Sequence, residues 1–214
     1  MSARVWAESG ITVVMPTVPE RAQVLAETLR QWRELGVADP VVVEQESPLR
    51  HASQQNLTAR RAIRAGLERS PRWVLLTEDD VDLSPCLPSH IPYLLGWGEA
   101  VVSLYAPGWT HYSKASELRA RGGVWDLHIA RVMSPRRWYG SLGVLIPARL
   151  AAEMLLRPPH RDDGFDVDLG QYVLGTHKPF LVSNPNLVQQ RDVRPVSNPH
   201  GGRHRSMTYG RCRH

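Results

Sequence analysis

The sequence predicts a single α/β domain built on a mostly parallel sheet flanked by helices. Three short apolar runs, at 11–15, 41–43 and 73–76, have the length and β-branched content of buried strands. Two stretches with apolar residues at helical spacing separate them, so the chain opens β-α-β-α-β. That order calls for parallel strands joined by helical crossovers. The third run ends in Glu78-Asp79-Asp80-Val81-Asp82, four carboxylates within five residues.

Each element has its own reason. The first strand, 11–15, is stopped by Pro16. Residues 20–35 carry Val24, Leu25, Thr28, Leu29, Trp32 and Leu35 at helical spacing, and Gly36 closes that helix. The second strand ends in Glu44, and a polar loop through Pro48 and His51 leads to a helix at 53–69 with Leu57, Ile63 and Leu67 inward. Further strands are expected at 101–104, 124–132 and 142–146. Helices are expected at 147–156, with Pro147 in its first position, and at 165–174. Short apolar runs follow at 180–182 and 187–188. No repeat and no linker divides the chain. Residues 1–190 are read as the domain, and 191–214 as a basic C-terminal segment that is part of it or packed on it.

Composition narrows the class. With 214 residues and 42% hydrophobic content the chain can bury a core, and 22% charged residues is ordinary for a folded domain. No run approaches the ~20 apolar residues a membrane helix needs, and the N-terminus does not resemble a signal peptide. Cys86 and Cys212 lack metal-type spacing, so neither a disulfide framework nor a zinc site is expected, and a reducing, cytoplasmic setting is the default. From Gln190 onward six arginines face one aspartate, which accounts for the whole formal charge of +5. Such an arm suits a diphosphate, a nucleic acid or an acidic partner, or is simply solvated.

The acidic run is the strongest chemical signal. In open α/β sheets ligands bind beyond the carboxyl ends of the strands, where this run falls. If extended, Glu78, Asp80 and Asp82 share one side and Asp79 the other. Carboxylates this close need a cation, basic partners or open water. Mg²⁺ or Mn²⁺ would be held by one or two of them together with substrate phosphates. The structural alternative is a surface turn capping a helix near Ser84. A dinucleotide site is disfavoured, because Pro16-Thr17-Val18-Pro19 stands where a glycine-rich turn belongs. Arg60 and Arg64 share a helix face that could meet phosphates or lie in solvent. Trp97, Trp109, Trp125, Trp138 and Tyr139 fall in irregular segments, available for stacking or for the core.

Several segments together resemble a known family. The opening 13–21, followed by a helix with Thr28-Leu29, looks like the start of GT-A glycosyltransferases, particularly the N-acetylglucosaminyltransferase IV type. Leu76-Thr77-Glu78-Asp79-Asp80-Val81 resembles their Glu-Asp-Asp form of the DxD motif. Residues 139–144 with Pro147 resemble the acceptor-side frame, and 184–190 resemble a late segment that often ends in a metal-binding histidine.

The resemblance implies a GT-A (Rossmann-like) fold and transfer of a sugar from a nucleotide-sugar donor, a UDP-sugar above all. It puts Pro16, Thr17 and Arg21 by the nucleotide, with Glu78 and Asp79 toward base or ribose. Asp80 would hold Mn²⁺ or Mg²⁺, assisted by Asp82. Gln190 stands at the histidine position, so the metal is held more weakly or His200 or His204 supplies the nitrogen. Arg60 is a candidate for donor phosphates. Tyr139, Gly140 and Ser141 would frame the acceptor. Inverting transfer needs a general base at the acceptor hydroxyl, and the resemblance points to the acidic segment 162–168, with Asp166 preferred and Asp168 second; Asp162 is better read as a helix cap.

The basic arm and Arg136-Arg137 favour a polyanionic acceptor, and hydroxymethylated bases in DNA, as in phage DNA modification, are preferred. Such an enzyme would act in the cytoplasm of the host cell. A glycan, a protein or a small metabolite stand as alternative acceptors. A second reading is an inactive scaffold of the same fold that binds nucleic acid.

Overall fold

The computed structural model describes residues 2–47, 51–105, 128–131, 141–159, 164–184 and 186–191. Helix α1 (Ser2–Ser9), which periodicity did not suggest, leads into β1 (Ile11–Thr17). A 3-10 turn (Pro19–Arg21) and α2 (Ala22–Glu34) carry the chain to β2 (Val41–Glu44), and α3 (Ala52–Leu67) carries it to β3 (Trp73–Thr77). There follow β4 (Val81–Leu83), α4 (Leu87–Leu95), β5 (Val101–Ser103), β6 (His128–Arg131) and β7 (Gly143–Pro147). The order ends with α5 (Ala148–Leu155), α6 (Phe165–Thr176), β8 (Phe180–Asn184) and β9 (Val188–Gln190).

The expected β-α-β-α-β opening is present. β1 runs on through Pro16 to Thr17, because at Pro16 only β2 lies alongside; the register with β3 ends at Val14. A proline without an N–H is tolerated at such a one-sided position. The central sheet has the order β2-β1-β3-β7-β5-β8-β6. Five of its strands run one way, while β6 and β7 oppose them. β4 and β9 form a separate antiparallel ribbon.

Strand alternation divides the core in two. Val14, Val74, Leu76, Val144 and Ile146 face α3, α5 and α6. Val13, Met15, Trp73, Leu75 and Leu145 face α1, α2 and α4, with Trp32 fully buried and Trp6 set edge-on against it. Helices therefore cover both faces, and the architecture is a Rossmann-like α/β domain. α3 is rotated relative to its expected setting: Asn56, Ala59, Arg60 and Ile63 point inward, and Leu57 is 42% exposed. The inward face of α3 thus carries small and polar groups beside its apolar ones.

The strand order 2-1-3 has a functional consequence. α2 covers one face of the sheet and α3 the other, so the chain reverses direction about β1. The crevice beyond the carboxyl ends of β1 and β3 is then the topological switch point, where such sheets bind ligands.

Among the described residues no cysteine is free. Cys86 is disulfide-bonded, which departs from the reduced pair expected from sequence; Cys212 lies outside those residues. No helix among them is long and apolar enough to cross a membrane.

The α3–β1 contact is tight at Gly66, where a Cβ would come within 2.3 Å of Val14 Cγ1. Gly66→Ala gains about 1 kcal/mol of helix propensity, yet overpacking costs about 1–3 kcal/mol. We expect net destabilisation in urea denaturation, and a smaller effect of the same change when Val14→Ala is already present.

Candidate active site

The acidic run leaves the sheet as a turn, and its carboxylates therefore diverge instead of alternating. Glu78 follows β3, Asp79 and Asp80 form the turn, and Asp82 lies on β4. Two backbone contacts hold this path: Thr28 on α2 donates its hydroxyl to the Asp79 carbonyl at 2.7 Å, and Arg191 N–H donates to the Asp80 carbonyl at 2.7 Å.

Arg21 is the cation of the site. Val18 is extended and Pro19 opens the 3-10 turn, its missing N–H costing nothing there. The turn aims Arg21 back at the end of β3. Arg21 Nη1 lies 2.7 Å from Asp79 Oδ1 and 3.1 Å from Asp80 Oδ2. The Thr17 hydroxyl donates to Asp79 Oδ2 at 2.6 Å, so both oxygens of Asp79 are engaged. Burial works against the Arg21 charge, but the Asp80 and Asp79 carboxylates outweigh it and raise its pKa.

Asp80 is fully buried and differently placed. Neither of its oxygens makes a hydrogen bond of good geometry among the described residues. Desolvation pushes its pKa up; Arg21, and the Gln190 side chain that faces it, pull the other way. Glu78, half-buried, accepts a hydrogen bond from the Ser141 hydroxyl at 2.6 Å. Burial first, and then the Asp80 charge, push Glu78 up to about 8.

These residues surround a cleft of about 230 Å³. Pro16, Thr17 and Arg21 line it from β1 and the turn, Glu78 and Asp79 from β3, and Ser141 from the approach to β7. Asp166 lines it from α6, and Gln190 from β9. Asp166 sits in the first turn of α6, where its Oδ1 accepts from the Val167 N–H at 2.9 Å. Sequence reasoning missed Gln45, Gln55 and Thr58, which add a neutral polar wall from the end of β2 and the start of α3. The end of β2 could have been flagged, since all carboxyl ends in this region of the sheet share the crevice.

Four expected site residues are not among those that line the cleft: Asp80, which is fully buried against Arg21, and Arg60, Asp168 and Asp82, which lie elsewhere. Arg60 is buried between α3 and α6, where Nη1 meets Asp168 Oδ2 at 2.8 Å and Nη2 donates to the carbonyls of Met154 and Arg157. It is not a lining residue of the cleft, and neither is Asp168, whose carboxylate is spent on Arg60. The helical face allowed Arg60 phosphate or solvent, and buried carbonyl acceptors at the end of α5 took it instead. Asp82 turns toward α2, accepting from Arg191 Nε at 2.7 Å and Gln31 Nε2 at 3.2 Å. The turn at Asp79-Asp80 breaks the alternation that would have aligned it with Asp80. Arg191, first residue of the basic segment, also donates to the Val24 and Val81 carbonyls.

Trp97 is 45% exposed and set edge-on against Tyr93, and it does not line the cleft. Tyr139, Gly140, His200, His204, Asp162 and Arg136-Arg137 lie outside the described residues, as do Trp109, Trp125 and Trp138. Among the described residues no three His, Cys, Asp or Glu side chains converge as a metal cage. A site built on one carboxylate and completed by a ligand's phosphates needs no such cage; Asp80, paired with Arg21 at 3.1 Å and without a hydrogen bond of good geometry, has acceptor capacity left, but it is fully buried and does not line the cleft.

The fold and the cleft define a Rossmann-like domain with an acidic crevice at its switch point. No protein-family model and no curated protein matches this chain. Solved structures do match in fold. A197 from STIV has a TM-score of 0.50 at 16% identity, over 95% of this chain and 98% of that one. A mycobacterial protein has a TM-score of 0.50 at 15% identity, over 92% of this chain and 72% of that one. UDP-glucose pyrophosphorylase complexed with UDP-glucose reaches only 0.44 at 9% identity, over 84% and 75%. These likenesses extend to architecture alone.

Removing one member of a buried ion pair leaves an uncompensated charge, at a cost of about 3–5 kcal/mol. Arg60→Met should therefore destabilise the fold by that order in chemical denaturation. Arg60→Met combined with Asp168→Leu should recover most of the loss.

Proposed function

We propose that this chain is a metal-dependent glycosyltransferase that moves a sugar from a nucleotide-sugar donor to an acceptor hydroxyl. The observation that carries this reading is the cleft at the ends of β1 and β3. It gathers Pro16, Thr17, Arg21, Glu78 and Asp79, with Asp166 on an opposing helix; the fully buried Asp80 is not a lining residue and lies against Arg21. A GT-A-type site asks for this division of labour. The apolar and hydroxyl groups of Pro16 and Thr17 take the nucleoside, Arg21 faces the diphosphate, and a separate carboxylate is left for the acceptor.

A divalent cation, Mn²⁺ or Mg²⁺, held by Asp80 and the donor's phosphate oxygens, would neutralise charge on the diphosphate leaving group. Gln190 faces Asp80 from the position where the resembling family carries its histidine, so the protein offers this cation few ligands. Asp166 takes the proton from the acceptor hydroxyl as that oxygen attacks the anomeric carbon, giving inversion. Ser141 holds Glu78 in place at the rim.

The acceptor we propose is a hydroxymethylated base in DNA. What supports it is the concentration of six arginines against one aspartate from Gln190 onward, five of them beyond Arg191, which is engaged by Asp82 and backbone carbonyls. Phosphate contacts of that kind make binding steeply salt-dependent, and the base would have to leave the stack to reach the cleft.

Mass spectrometry of hydroxymethylated and plain DNA after incubation with a panel of nucleotide sugars and Mn²⁺ tests both parts. A hexose-sized gain on the modified DNA alone is expected. Turnover of donor with glycan or small-molecule acceptors but never with DNA would refute the acceptor and keep the reaction class. Asp166→Asn should slow transfer by about 10²–10⁴-fold while nucleotide binding, followed by thermal shift, is retained. A fully active Asp166→Asn protein would remove it from the base role.

A further inference from the structure

A buried ion pair adds little net stability over a well-packed apolar pair of similar size, although breaking it is costly. The Arg60–Asp168 pair is therefore poorly explained by stability alone, and its place in the fold offers another role. Arg60 follows Thr58 and Ala59 on α3, both of which line the cleft. Its guanidinium joins two helix ends. Nη2 donates to the carbonyls of Met154, Leu155 and Arg157 at the C-terminal end of α5, and Nη1 meets Asp168 Oδ2 at 2.8 Å in the first turn of α6. The two side chains are only 7% and 8% exposed. That same first turn of α6 reaches the cleft, where Gly164, Phe165 and Asp166 line it. Asp168 N–H donates to the Gly164 carbonyl at 3.1 Å and closes the turn around Asp166. Gly164 leaves the carboxylate its room, since a Cβ there would come within 2.9 Å of Asp166 Oδ1.

We infer that Arg60 is a positioning residue: through Asp168 it fixes the first turn of α6 and so sets where the Asp166 carboxylate stands in the cleft. This rests on the reading of Asp166 as the base. The planar guanidinium suits the task, because it holds carbonyls at one helix end and a carboxylate at the other in fixed directions. An apolar pair could fill the same volume, yet hydrophobic contact is non-directional and would let the helix end slide. A displacement of about 1 Å at a reacting group costs about 10²-fold in rate. Arg60 and Asp168 thus act on the transfer step without touching donor or acceptor.

The test uses the full chain carrying Arg60→Met with Asp168→Leu, which replaces the pair by apolar groups and keeps most of the stability, as urea denaturation checks. Hydrogen exchange in peptides spanning 164–168 should be faster than in the wild type by about tenfold or more. Exchange in that turn equal to the wild type would overturn the inference and leave the functional reading untouched. Transfer is then measured with the donor and acceptor of highest turnover in the panel above, UDP-glucose and hydroxymethylated DNA first. The double variant should lose about 10²-fold in kcat, with UDP affinity by calorimetry within about twofold of the wild type. Added to Asp166→Asn, the same two changes should cost at most about twofold more, because they act through Asp166. A further loss as large as in the wild-type background would mark the pair as structural support alone and sink the inference. Where Asp166→Asn leaves no measurable rate, the exchange and the kcat of the double variant decide. If the wild type transfers sugar to no acceptor of the panel, the base role of Asp166 and the inference fall together. Should the double variant not fold, Asp168→Asn, which keeps the size and removes the charge, replaces it in each measurement.

Discussion

The Arg21 guanidinium lies between two buried carboxylates, and much of the site's shape follows from that contact. Asp79 and Asp80 are adjacent in the chain and nearly inaccessible to water. Two anions so placed repel each other and lose hydration. One guanidinium, reached from the turn after β1, compensates both. The contact ties the end of β1 to the end of β3, and Thr17 and Thr28 reinforce the tie on the side chain and the backbone of Asp79. Asp79 is fully engaged by this arrangement, and Asp80 is left partly unsatisfied. That asymmetry, within two neighbouring residues of the same type, separates an anchoring carboxylate from one with unfilled acceptor capacity.

The topology explains why the asymmetry falls at a cleft. α2 and α3 cover opposite faces of the sheet, so the loops after β1 and β3 part at the switch point and leave room between them. The antiparallel β7 lies next to β3 and brings Ser141 against Glu78. The β4–β9 ribbon returns the chain so that Gln190 faces Asp80 and Arg191 grips Asp82. The walls of the cleft thus come from segments far apart in the chain, and its electrostatics depends on the whole fold.

Much of the first half was legible in the sequence. Buried strands written as continuous apolar runs, with helical spacing between them, define β1 to β3 and place the acidic run at a strand end. Periodicity shows that a strand exists and not which strand it joins, so the antiparallel insertion of β7 between β3 and β5 could not be read. Among the residues that line the crevice, Glu78 and Asp79 were legible from the strand end, and Thr17 and Arg21 only through the family resemblance. The site was misread where local pattern met a tertiary partner. Asp82 fits simple alternation, but the turn at Asp79-Asp80 sent it to Arg191 and Gln31. Arg60 has the charge of a phosphate ligand, yet the open carbonyls at the end of α5 and the Asp168 carboxylate bury it. Gln45 and Thr58 carry no charge or motif to announce them, and only the geometry of the crevice brings them to its wall.

The central claim is that the crevice holds a nucleotide diphosphate with a cation on Asp80. A crystal structure with UDP and Mn²⁺, using anomalous scattering to locate the manganese, tests it most directly. The diphosphate should lie between Arg21 and the end of β3, with manganese in direct contact with an Asp80 oxygen and the phosphates. Manganese at Asp82, or nucleotide bound away from the Thr17–Asp79 side of the crevice, would contradict it.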